Sequence, residues 1–372
     1  MSNVPGVLFR RLALRGFRGF EELTLSGLSR VNLFAGSNNV GKTALLEGVF
    51  LLLGANNADL PLRLNHFRGM DVVSSDVSEI WGWLFFKKLV DRPIRIEAES
   101  DDQSYELSVA LSGADRLLQS FDDARPRAPS RFGAAVTTGP SARSLELTVV
   151  ARSGVSGSAG AEEERLDSLA TIASDGRIEL EHSEKMFFPL SVFVNTRTIS
   201  GAEDAQRFGK LEEVGRQGEL IDILKCADAR VRGLSVYSYG PATILRADLG
   251  FGRLVPLTFL GQGFARLVSI ALAVMTCENG CVLIDEFENG LHYAALTPIW
   301  RGVAEAASRA NVQVFATTHS RECVEAAHAA YRERLEYDLA VFRLERTNDH
   351  VRVVAHTKET LDTATQLGWE VR

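Results

Sequence analysis

Gly36-Ser37-Asn38-Asn39-Val40-Gly41-Lys42-Thr43 follows the spacing G-x-x-x-x-G-K-T. In such a stretch the glycines let successive backbone N–H groups turn inward and, with a helix N-terminus at Ala44, hold phosphate oxygens. Lys42 would reach the terminal phosphates, and the Thr43 hydroxyl is an oxygen ligand for Mg2+. Far along the chain, the apolar run Cys281-Val282-Leu283-Ile284 ends on Asp285-Glu286. Asp285 there suits a metal ion, directly or through water, and Glu286 suits a base that orients and deprotonates an attacking water, worth roughly 10²- to 10⁴-fold in rate. A third run, Gln313 to Thr318, ends on His319, a ring able to hydrogen-bond a γ-phosphate, and Ser320 then caps a helix. Gly261 and Gly263 precede an apolar helical run from Leu267 to Met275, a second anion-binding feature without a lysine.

These side chains need scaffolds, and the pattern supplies them. Val31 to Ala35 reads as a buried strand before the phosphate loop, and Ala44 to Leu53 as the helix after it. Leu8 to Leu14 and Leu23 to Leu25 read as strands joined by a tight connection through Gly16 to Phe20. Ser78 to Leu89, rich in aromatic residues, reads as a core helix. From Pro93 to Val194 the pattern is one of short strands, Ile94 to Ala98, Tyr105 to Leu111, Leu145 to Val150, Arg177 to Leu180 and Ser191 to Val194. Segments rich in Gly, Ser, Pro and Arg separate them, which predicts an antiparallel sheet with long loops. Arg125, Arg127 and Arg131, beside Phe132, lie in one such loop, read as solvated and mobile with a DNA-contacting arm as the sharper alternative, and Ser153 to Glu164, low in complexity, reads as disordered or variable. Ala202 to Ala229 reads as a helical connector, with strands at Leu234 to Tyr237, Ala242 to Asp248 and Leu254 to Phe259.

The expected organisation is an N-terminal lobe over 1–198, holding the phosphate loop within 1–55 and the antiparallel region within 90–195. A connector of helices and strands spans 199–258, and a C-terminal lobe spans 259–372. The 372 residues, 45% of them hydrophobic, suffice for a large core. No apolar run reaches the roughly 20 residues of a membrane span, so a cytoplasmic protein is expected. The four cysteines, Cys226, Cys277, Cys281 and Cys323, lack C-x-x-C spacing and are expected to be reduced and mostly packed, with a metal at Cys277 and Cys281 as the sharper alternative. A net charge of −7 disfavours indiscriminate coating of nucleic acid while leaving room for a local basic face.

Taken in order, the phosphate loop, the glycine-rich helix start, the Asp-Glu strand end and the Thr-His-Ser strand end resemble the ABC-type ATPase heads of the SMC, RecF and OLD proteins. The motifs Ile284 to His292 and Thr317-Thr318-His319-Ser320 are most similar to the ATPase module of the OLD family. The resemblance covers Leu8 to Leu53 and Leu254 to about Ala327. It implies an α/β fold, a P-loop NTPase of ABC-head type with a central mixed sheet, a flanking antiparallel β region and a helical lobe. It places the signature motif at Gly261 to Phe264 and the D-loop at Leu291-His292. A glycine stands where the signature serine is usual, which leaves the helix N-terminus and Arg266 as the contacts to a γ-phosphate. His292 stands where transporters usually have Asp.

By that resemblance the cofactors are ATP and Mg2+, with ATP favoured over GTP because no guanine-selecting motif occurs. The signature of one subunit would close on nucleotide held by a second copy, in a head-to-tail dimer. OLD nucleases carry an Asp-x-Asp pair in a Toprim domain, and none follows His319, so the chain is not expected to cut DNA itself. The resulting expectation is a slow ATPase that controls a separately encoded effector, such as a nuclease in a bacterial anti-phage defence system. A RecF-like DNA-binding repair ATPase is the alternative, with DNA as the partner. A transporter motor is disfavoured by the missing Leu-Ser-Gly-Gly-Gln signature.

Overall fold

The computed structural model describes residues 7–70, 80–113, 143–153, 162–172, 177–182, 186, 188–196, 201–240, 242–347 and 350–367. The arginine-bearing loop at 125–131 and most of the 153–164 run lie outside the described residues. Contacts divide the chain into two compact units, one of Met1–Arg11, Thr24–Leu53 and Pro189–Arg372, the other of Leu12–Leu23 and Gly54–Phe188. This corrects the expected boundaries at 198 and 258, because the chain leaves the first unit and later returns to it.

In chain order, strands β1 (Arg11–Phe17) and β2 (Phe20–Ser26) form a tight hairpin in which Arg18 takes a left-handed φ of 52°. Strand β3 (Val31–Ala35) is buried at every position and leads to helix α1 (Lys42–Leu53), after which comes α2 (Leu60–Phe67). Strands β4 (Ile94–Glu99), β5 (Gln103–Gly113), β6 (Arg143–Ser153), β7 (Glu162–Ile172) and β8 (Ile178–His182) then pair antiparallel in succession. With β1 and β2 they make a seven-stranded sheet of order β2-β1-β4-β5-β6-β7-β8. Alternation explains their form: in β4, Ile94, Ile96 and Ala98 are buried while the residues between them are not.

Two expectations for this unit are corrected. The aromatic stretch is helical only at Ile80 and Trp81 among its described residues and then breaks into two short 3-10 turns, Gly82–Leu84 and Phe86–Lys88, with Lys87 and Lys88 at φ of 51° and 57°. Trp81, Leu84 and Phe85 are buried, whereas Trp83 is 48% exposed. The low-complexity run also yields a strand, since Glu162, Glu163 and Glu164 open β7, where Glu163 pairs across the sheet with Arg152 at 3.0 Å.

The first unit continues with β9 (Ser191–Val194), α3 (Gly201–Glu213), α4 (Gln217–Lys225), β10 (Gly233–Tyr239), β11 (Ala242–Asp248) and β12 (Val255–Pro256). Helix α5 (Gln262–Thr276), β13 (Cys281–Ile284), α6 (Tyr293–Arg309), β14 (Gln313–Thr317), α7 (Arg321–Arg332), β15 (Leu339–Thr347), β16 (His350–His356) and α8 (Lys358–Leu367) complete it. Its six-stranded sheet runs β16-β15-β3-β14-β13-β9, with only β16 antiparallel to its neighbour. β3, β13 and β14 are buried throughout, as parallel strands covered on both faces must be. β9 is a further correction: it belongs to this parallel sheet, beside β13, and not to the antiparallel region. Residues 257–259 form a 3-10 turn where a strand was expected.

Helix α5 is apolar nearly all round and correspondingly buried from Ala265 to Met275. Phe287, just past Glu286, stacks on Trp300 with ring centroids 3.8 Å apart. Cys277, Cys281 and Cys323 are free and buried, Cys226 is exposed, and burial pushes the Cys277 thiol up to about 11. Among the described residues, no helix is long and apolar enough to cross a membrane.

The starts of β3 and β15 are clamped by Arg30 and Asp338, 7% and 3% exposed, whose Nε and Oδ2 are 3.1 Å apart. Burial raises the Asp338 carboxyl, with Arg334 and Arg30 acting against that shift. Asp338→Asn keeps an acceptor for Arg30 and removes the countercharge, so it is expected to cost roughly 1–3 kcal/mol of unfolding free energy in a urea titration. An unchanged midpoint would mean that the clamp contributes nothing.

Candidate nucleotide-binding site

The parallel register carries the C-terminal ends of β3, β14, β13 and β9 to one edge of the sheet, which is where such sheets hold ligands. Gly36 leaves β3 with φ of 150°, and a Cβ there would lie 2.6 Å from the Leu344 carbonyl oxygen, so only glycine fits. The loop then turns through Asn39 and Gly41, at φ of 65° and 113°. Val40 and Ala44 are buried beneath it, while Ser37, Asn38 and Asn39 face outward.

Lys42 is 7% exposed and its Nζ donates to the carbonyls of Gly36 and Ser37 at 2.6 and 2.9 Å. Burial pulls its ammonium below the ordinary lysine value, and the nearby carboxylates of Glu288, Asp285 and Glu286 oppose that shift. A buried positive charge therefore sits at the loop itself. The Thr43 hydroxyl is 3.0 Å from both Asp285 carboxylate oxygens, and the Thr317 hydroxyl donates to Oδ1 at 2.8 Å. This set of hydroxyl and carboxylate oxygens has the hard donor chemistry that Mg2+ takes, and the lysine beside it suits a phosphate chain. Loop and strand end thus fit a magnesium nucleotide.

Glu286 has a left-handed backbone, φ 49°, a conformation costing a non-glycine residue about 1–3 kcal/mol. Its N–H donates to Thr317 Oγ1 at 2.7 Å, and its carbonyl accepts from the Asn289 N–H at 3.0 Å and from Arg266 at 3.1 Å. The Asn289 amide is 3.4 Å from its carboxylate. His319 is joined to this turn by Glu288, whose Oε1 lies 2.9 Å from the His319 N–H and 3.1 Å from Nδ1. Glu288 is the residue that sequence reasoning missed. A carboxylate two positions past the Asp-Glu pair is a weak signal, and only folding shows that it turns inward to meet the histidine.

The structure separates the residues of the glycine-rich helix start. Gly261 precedes α5 at φ of 91° with nothing within 4 Å of a Cβ built on it. Gly263 touches the Asp-Glu turn: a Cβ on it would lie 1.8 Å from the Gly290 carbonyl oxygen. Arg266 does not stand at the surface, where a nucleotide on a second copy would meet it. It is 4% exposed, and its guanidinium donates to the carbonyls of Asn195, Asp285 and Glu286. Burial lowers its pKa, with Asp285, Glu286 and Glu288 opposing the shift. His292 caps α6, its Nδ1 accepting from the Ala294 N–H at 3.3 Å.

Comparison with a solved SMC head, one bound to the C-terminal winged-helix domain of ScpA, gives a TM-score of 0.50 at 12% identity over 95% of this chain and 99% of that one. The fold is that of an SMC head. Within it, residues 162–324 match the family model described as AAA ATPase domain, and the part of the site borne by α5, β13 and β14 lies inside that matched stretch. An ATP/GTP phosphatase of Helicobacter pylori is 31% identical over 101 residues, 26% of this chain and 27% of that protein. An uncharacterized protein of Methanocaldococcus jannaschii is 36% identical over 66 residues, 18% of this chain and 58% of that one. The chain therefore aligns with less than two thirds of the length of each of these relatives. The sheet order β3-β14-β13 sets the phosphate loop, early in the chain, beside strand ends that come late in it.

Proposed function

We propose that this chain is a magnesium-dependent, cytoplasmic ATPase of the OLD type that binds and slowly hydrolyses ATP. It would work as a head-to-tail pair with a second copy and use the cycle to control a separately encoded effector. The observation that carries the ATPase reading is the convergence of Lys42, Thr43 and Asp285, with both Asp285 oxygens 3.0 Å from the Thr43 hydroxyl. The phosphatase named in Helicobacter pylori and the ATPase-domain match support the same reading.

In this reading, N–H groups from Gly36 to Ala44 hold the phosphates and Lys42 supplies their countercharge. Thr43 and Asp285 would hold Mg2+, which when bound neutralises charge developing on the phosphoryl oxygens. Glu286, beside Asp285, takes a proton from the attacking water. His319, kept in place by Glu288, donates to the terminal phosphate. Gly261 and Gly263 would close on nucleotide held by the second copy. Co-purification with a neighbour-encoded protein tests the effector, and a solitary pair with activity of its own would remove it.

The test of the core reading is nucleotide binding and mass measured together. Lys42→Ala removes a charge-assisted contact worth about 1.5–3 kcal/mol, so the Kd for ATP is expected to rise at least about tenfold. Wild-type protein is expected to double in mass with ATP and Mg2+, and Lys42→Ala to remain single. Unchanged affinity in the variant removes the assigned role of Lys42, and an unchanged wild-type mass removes the pair.

A further inference from the structure

Resting on the reading of Glu286 as the base, we propose that Arg266 is a positioning residue. From α5 of the same chain it holds the left-handed Glu286 backbone, so that the seating of the glycine-rich helix sets where the base points.

The buried guanidinium spans two strand ends. One nitrogen donates to the Asn195 carbonyl past the end of β9 at 2.8 Å, and the other donates to the carbonyls of Asp285 and Glu286, the latter at 3.1 Å. A planar fork can hold two separated sets of acceptors at once, whereas a lysine ammonium is a single point charge and cannot. A strained backbone persists only where its surroundings over-determine it. For Glu286 those surroundings are the Thr317 hydroxyl on its N–H, and Arg266 with the Asn289 N–H on its carbonyl.

The far side of the clamp is anchored as well. One turn before Arg266, Gly263 packs directly on Gly290, in the turn that follows Glu286. One turn after it, Ser269 donates to Asp204 of α3 at 2.5 Å, and Asp204 is itself paired with Arg207 at 3.2 Å. A movement at the start of α5 therefore reaches the Glu286 peptide through a buried, hydrogen-bonded connection. Asp285 shares the guanidinium through its carbonyl, but its side chain, the part that would face a metal, is held by Thr43 and Thr317. Loss of Arg266 is thus expected to disturb the base while leaving the metal and nucleotide ligands in place.

The experiment compares wild type with Arg266→Lys, which keeps the buried charge, and Arg266→Gln, which keeps a single donor. Steady-state hydrolysis of ATP is measured together with amide hydrogen exchange over 284–292 in nucleotide-free protein. Both variants are expected to lose about 10²-fold in kcat with KM changed less than threefold, lysine giving no rescue. The Phe287 and Asn289 amides are expected to exchange at least tenfold faster, with the rest of the sheet protected. Unchanged kcat and unchanged exchange would overturn the proposal. So would a rise in KM that matches the fall in kcat, because that would place the guanidinium on the nucleotide. The exchange measurement needs no ATP, so a wild type without hydrolysis would remove the base reading, while exchange that quickens only at the turn would still uphold the clamp.

Discussion

Replacing Glu286 with glutamine is expected to slow phosphate release by roughly 10²- to 10⁴-fold, the contribution of a general base, with ATP affinity unchanged. The substitution is close to isosteric. A glutamine keeps an oxygen for the Asn289 amide, 3.4 Å away, and leaves untouched the backbone bonds to Thr317 and Arg266. What it loses is the capacity to accept a proton. Lys42, Thr43 and Asp285 would still bind nucleotide, so the ATP-bound pair should accumulate. Single-turnover phosphate release, followed alongside mass, reads both effects. Equal release by wild type and variant would show that another group takes the proton.

The second large effect concerns Gly263. A methyl group there would meet the Gly290 carbonyl oxygen at 1.8 Å and its carbon at 2.4 Å, and both are backbone atoms with no rotamer to yield. Gly290 is equally constrained, with φ of 77° and a Cβ position 2.7 Å from the Gly263 Cα. Gly263→Ala must therefore push α5 away from the turn that carries Glu286. The expected loss is at least about 3 kcal/mol, the upper end of the cost of overpacking. Gly209, inside α3 with nothing within 4 Å of its Cβ position, is the control. Gly209→Ala should stabilise the protein by about 0.5–1 kcal/mol through helix propensity. Guanidinium titrations of both variants decide the matter: a Gly263→Ala protein as stable as wild type would mean that the two backbones do not meet.

Sequence carried much of this site because the phosphate loop and the Asp-Glu strand end depend on local rules. A glycine at position 36 is required by the backbone it must adopt, and an apolar run ending on carboxylates advertises a strand end. The failures were non-local. Ser191 to Val194 reads as a strand, but alternation says nothing about which strand it pairs with, and β13 lies far away in sequence. Arg266 is placed at a γ-phosphate by the resemblance, as a substitute for the missing signature serine. Which side of α5 faces the protein interior is decided by β9, β13 and α3, and that placed the guanidinium on three carbonyls instead. The stretch around Trp81 and Phe85 has the composition of a helix, yet the helix stops at Trp81, Phe85 is extended at ψ 144°, and Lys87 and Lys88 adopt left-handed angles after it.

The order of strands in the six-stranded sheet also bears on how the protein is made. β3 leaves the ribosome early, but its neighbours β14 and β15 belong to the last part of the chain. At typical elongation rates of about 5–20 residues per second, the phosphate loop and its apolar helix wait tens of seconds for partners. During that interval Leu33 and Phe34 lack the strands that flank them, and the leucines of α1 lack the cover of β13 and β14. Nascent chains of this protein should therefore engage chaperones until synthesis passes β15, while the antiparallel strands β4 to β8, whose pairing is sequential, can close as they emerge.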